Sequence, residues 1–347
     1  MTSRISCCTW IAMAAAACSA GAETGARSGC TEAATLSARL TFAEQARAKR
    51  ILSHRDAWVK QLSKFDLGAR MRTTEPVGIQ DFLAFAGEQG LGWSAEEEAG
   101  WKPVVEKLSG ALKGLRLHIP AVELVKSTGM DEFNAPYTRA RAVILPASRA
   151  SLPAANSRAA FFLLAHELFP VLSREDSTLQ DQLYALLGFK VVSGFEYPAE
   201  LEATRGSNPD AFEYLHVLAV QTASGRADVM PLVQTSRTVS EVLRLSSFFE
   251  ALDVVLLAVD TNTGKAVRNE NGQLVKFSFA NTDWVPQMQR NSSYIIHPEE
   301  LLADNFATLM EWRAEGNVPA RNPAGDAVDD MRLLTAIRDA LLADCGQ

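Results

Sequence analysis

Apolar positions recur at helical spacing through the first third of the chain. Ile51, Trp58, Val59, Leu62 and Phe65 form one stripe. Val104, Val105, Leu108, Leu112 and Leu115 form a second, preceded by Ser94 and Glu97 at the spacing of a capping box. Residues 35–115 are therefore expected to be a helical scaffold. The pattern changes over 116–147, where "LRLHIP" and "RAVILP" are short β-like runs that end at prolines. Between them lies a segment rich in turn formers, carrying Asp131, Glu132, Tyr137 and Arg139; its carboxylates are expected to be solvated. Helical spacing returns over 158–169 with Ser157 as the N-cap, and over 178–187 up to Gly188. Residues 190–285 alternate in the manner of strands joined by turns, and His216 shares a strand face with Leu218 and Val220, as a core histidine would. A last helical part covers 286–347. Pro298 stands at a first-turn position there, followed by the stripe Leu301, Leu302, Phe306, Leu309 and Met310. The class expected is α+β.

The start of the chain changes the picture of where it works. "MTSR" followed by "IAMAAAACSAGA" has the short positive head and small-residue apolar stretch of an export signal, with Ala20-Gly21-Ala22 as the cleavage site. Residues 1–22 are thus expected to be a signal peptide and 23–34 a polar linker, which puts the protein in the periplasm or outside the cell. Cys18 offers a second route, lipidation, which would make it an outer-membrane lipoprotein. Cleavage after Ala22 leaves Cys30 and Cys345, either as a disulfide or as two free thiols. No later segment supplies the roughly 18 apolar residues that a spanning helix needs. A net charge of −7 without a basic block argues against nucleic-acid binding.

The chemistry concentrates in "AHELFPVLSR". His166 and Glu167 open the H-E-x-x-H arrangement, in which histidines one helical turn apart grip a zinc ion and the glutamate serves as general base. Pro170 stands where the second histidine belongs. It has no donor atom, and inside a helix it costs about 3 kcal/mol or forces a kink at the His166 carbonyl. Downstream, Glu300 and Asp304 lie one turn apart on the same side of the last long helical stretch. His297 precedes them and reads as an N-cap or a group supporting the site; Tyr294 could donate to a developing oxyanion. His54 and His118 have no partner in sequence. There is no G-x-S-x-G elbow, no glycine-rich phosphate loop and no Cys-x-x-Cys pair.

Together, "HELF" and "EELLAD" resemble the gluzincin group of zinc metallopeptidases. More narrowly, "LLAHELF", "LYALLGF" and "YIIHPEELLADNFA" resemble an uncharacterised exported bacterial family whose members carry an intact H-E-L-F-H. That resemblance implies a zincin-like core over 116–189 and a β-rich insertion over 190–285. It also implies zinc as cofactor, His166 and Glu300 as metal ligands, Glu167 as general base, and Asp304 as the residue that orients His166. The strand "RAVILP" would pair with an extended peptide or protein substrate. The departure at Pro170 leaves three readings. The protein is a homologue with an impaired metal site, inactive or weakly active and retaining peptide binding; or an active metallopeptidase with a non-standard ligand, His297 or a loop carboxylate; or a non-enzymatic interaction protein.

Overall fold

Two sheets and two long buried helices organise the chain. The computed structural model describes residues 35–245 and 248–342. The expected signal peptide, the linker, Cys18, Cys30 and Cys345 lie outside them.

The first sheet is built from β1 (Leu40–Phe42), β2 (Gly90–Leu91), β3 (Val122–Ser127), β4 (Tyr137–Arg139) and β5 (Ala142–Pro146). Its order is β1-β3-β5-β4, with β2 also pairing β3. β1 and β5 run parallel to β3, and β4 runs antiparallel to β5. The stretch expected to be wholly helical thus contributes two strands. Runs as short as "LTF" and "GL" cannot establish a period of two against long helical neighbours. "RAVILP" also differs from expectation: β5 is paired on both sides, and β4 is the edge beside the His166 helix.

The second sheet holds β6 (Phe189–Val191), β7 (His216–Thr222), β8 (Gly225–Gln234), β9 (Asp253–Asp260), β10 (Lys265–Ala266) and β11 (Lys276–Phe277), all antiparallel. His216 is buried on β7 and bonds Asp181 through Nε2 at 2.7 Å, the satisfied core histidine expected of it.

The helix Ala95–Leu112 begins with the reciprocal Ser94–Glu97 capping box. Glu97 also pairs with Lys126 of β3 at 2.6 Å, tying this helix to the first sheet. The His166 helix spans Ser157–Glu175, and its N-cap is Asn156, whose side chain accepts from Ala159 N at 3.0 Å, rather than Ser157. It continues for five residues past Pro170, where the sequence suggested a break. Magnitudes account for this. Leu164, Leu168, Phe169 and Leu172 on this helix are buried; each contributes about 1.5–3 kcal/mol, which together outweighs the roughly 3 kcal/mol cost of one interior proline. The main partner is the helix Pro298–Glu315, met through Phe169 against Phe306 at 5.3 Å between ring centres. Among the described residues no helix is long and apolar enough to cross a membrane.

Candidate functional site

The Pro298–Glu315 helix places its carboxylates by turn geometry. His297 is its N-cap, with Nδ1 accepting from Glu299 N at 3.1 Å, and Pro298 supplies the first-turn residue without an N–H to satisfy. Residues 300 and 304 then face the same side. That side meets His166: Nδ1 lies 2.8 Å from Asp304 Oδ1, and Nε2 lies 3.3 Å from Glu300 Oε2. Asp304 is itself fixed by Ser292 Oγ, which donates to Oδ2. Ser292 Oγ also accepts from Tyr294 N at 2.9 Å, so one loop orients both Asp304 and Tyr294. The Tyr294 ring lies nearly parallel to that of His166, with centres 6.2 Å apart. His166, Glu300, Asp304 and Tyr294, up to 138 positions apart in sequence, are thereby brought together.

His297 is not beside them. It is half-buried against Tyr184, and desolvation together with the nearby His216 pushes its pKa down to about 3, so its role is that of a cap. The loop carboxylates expected to be solvated are buried. Asp131 accepts from Ser127 Oγ at 2.8 Å and from Tyr137 OH at 2.6 Å; Glu132 pairs with Arg70 at 2.7 Å. Arg70 is fully buried and bonds Asp66 as well, between the rings of Trp58 and Phe248. Composition of a loop reports exposure only when no buried cation waits beneath it.

His166, Glu167, Tyr294, Glu300 and Asp304 all line a cavity of about 750 Å³, whose apolar wall includes Phe162, Leu163, Phe248, Leu252 and Ile296. Two further polar side chains reach it that the sequence did not mark. Asn208 Nδ2 donates to Glu300 Oε1 at 2.5 Å. Asp210 Oδ1 accepts from Thr138 N at 2.8 Å and from Thr138 Oγ at 2.5 Å, occupying an N–H of the edge strand β4. Arg174 holds the same segment from behind, donating to Asp210 O and Thr138 Oγ. "SNPD" reads in sequence only as a turn, and nothing in its composition distinguishes a site turn from any other.

The electrostatics follow from crowding carboxylates in a buried space. Burial lowers the His166 pKa, but hydrogen bonds to Asp304 and Glu300 outweigh it and hold the imidazole well above its ordinary value. Burial, and then the charge of Asp210, push Glu167 well above the usual carboxylate range. Asp210 is raised to about 7 by burial and by Glu300. Glu167 Oε2 is buried and, among the described residues, has no hydrogen-bond partner.

Fit to zinc can be judged from these donors. Two donors bound at 2.0–2.1 Å to one tetrahedral ion lie about 3.3 Å apart, which matches His166 Nε2 and Glu300 Oε2. Position 170, which holds the second histidine in the H-E-x-x-H arrangement, adds no donor to this pair. Pro170 supplies none, and among the described residues no group of three His, Cys, Asp or Glu is placed to hold a metal ion. The H-E-x-x-H ligand set is therefore incomplete at Pro170. Comparisons with protein-family models, curated proteins and solved structures return no match.

Proposed function

We propose that the chain is an exported metallopeptidase homologue with a zincin-like core whose metal site is impaired, and that it binds peptides with little or no hydrolysis. The observation that carries this reading is the clamp on His166. Asp304 and Glu300 hold the imidazole from its two nitrogens in the geometry of a metal site, while Pro170 removes one ligand of the set. The supporting observation is the cavity at that clamp, with an apolar wall and a few convergent polar groups, the composition of a ligand site. What the chain's own residues do is fix polar atoms at one end of an apolar cavity.

The test joins metal analysis of the full chain to a cleavage assay on short unstructured peptides. The expected result is zinc well below stoichiometric, no cleavage sensitive to Glu167→Gln, and measurable peptide binding. Near-stoichiometric zinc with cleavage abolished by Glu167→Gln would overturn the reading.

A further inference from the structure

Glu167 is the group that the clamp leaves unserved. Its side chain lines the cavity, its residue is 5% exposed, and among the described residues its Oε2 takes no hydrogen bond. A buried carboxylate oxygen without a donor is free to accept one from a ligand. Around it the charge is unbalanced. Glu167, Asp210, Glu300 and Asp304 all line the cavity. Of the cations nearby, His166 is committed to Asp304 and Glu300, Arg174 faces Thr138 and the Asp210 carbonyl, and Arg149 is exposed at the rim. Glu132 also lines the cavity but is already paired with Arg70. Both bonds to Asp210 use Oδ1, and among the described residues Oδ2 takes none.

We infer that the site receives a primary ammonium group of a peptide, held by Glu167 and Asp210. This rests on the peptide-binding reading above and names what the site recognises. An ammonium has three donors and no acceptor, so it can donate to more than one of the carboxylates that line this cavity while bringing it a positive charge. The apolar wall then takes the side chains that follow. Entry along β4 is obstructed, because Asp210 already holds Thr138 N–H. A chain that cannot add as a strand enters by its end, which puts the terminal amine at the carboxylates. The alternative source of the same chemistry is a lysine side chain.

The test is calorimetric titration of the full chain, with a chelator present, using three apolar tetrapeptide amides: one with a free N-terminus, one acetylated, and one acetylated but carrying a lysine. The free peptide is expected to bind more tightly than the acetylated one by about tenfold or more, the scale of losing a buried charged partner. Rescue by the lysine peptide would support the ammonium site and assign the side chain as a second source; no rescue would support the terminal amine alone. Glu167→Gln and Asp210→Asn, each checked for native circular dichroism, are expected to abolish the preference for the free peptide. Equal binding of free and acetylated peptides by the wild-type chain would overturn the inference while leaving peptide binding intact. Binding of neither would overturn both. Preference unchanged in both folded variants would also overturn it.

Discussion

Restoring the missing ligand, Pro170→His, separates a damaged site from an absent one. Two effects are expected. The first needs no metal: the variant regains an N–H at position 170 for the His166 carbonyl and loses the ring clash, together worth about 3 kcal/mol if the helix tolerates the new side chain. Pro170 is buried, so imperfect accommodation of the imidazole subtracts from this. The second effect requires zinc. With His166 Nε2 and Glu300 Oε2 already 3.3 Å apart and Asp304 orienting Nδ1, the added histidine completes three protein ligands on preplaced partners. Zinc at a hundred times its Kd then stabilises the folded chain by about 2.7 kcal/mol. At roughly 2 °C per kcal/mol for a chain of this size, Tm rises by about 5 °C on adding zinc. The assay is thermal unfolding of wild type and variant with chelator and with zinc. Wild type is expected to respond to zinc weakly or not at all. A folded variant whose Tm is indifferent to zinc would refute the reasoning, because the two existing donors would then not be metal ligands.

Arg70→Ala leaves Asp66 and Glu132 buried without their cation, and chemical denaturation should show a loss of about 3–5 kcal/mol. Asp210→Asn should change the pH dependence of stability. The folded pKa of Asp210 is raised to about 7 from an ordinary 3.8, so its contribution is fully present below pH 3.8 and is lost as pH rises through 7. The variant should therefore lose less stability than wild type between pH 4 and 8, read as Tm across that range. Asp304→Asn removes an anion that holds the His166 pKa up. An NMR titration should show the His166 imidazole deprotonating at lower pH than in wild type.

The elements with long, regular periodicity were legible from the sequence: the Ala95–Leu112 helix with its capping box, the Pro298–Glu315 helix with Pro298 at its start, and the antiparallel β-rich segment. So was the shared face of Glu300 and Asp304, which turn spacing fixes; that this face meets His166 was implied by the gluzincin resemblance and not by spacing. The strands β1 and β2 were not legible, being too short to show their own period. Nor was the passage of the His166 helix through Pro170. That outcome depends on the apolar burial of neighbours such as Leu168 and Leu172, a tertiary quantity that local propensity does not contain. Asn208 and Asp210 were missed for a related reason. A turn tripeptide acquires meaning only when the fold lays it across an edge strand, and Thr138 N–H is the group that receives it here.

The central claim is that two ligands remain where three are needed. Diffraction from crystals soaked in zinc, with data collected on both sides of the zinc absorption edge, tests it directly. No anomalous peak near full occupancy is expected between His166 Nε2 and Glu300 Oε2 in the wild-type chain. A fully occupied peak there, with a third protein donor at about 2.0–2.2 Å, would contradict it.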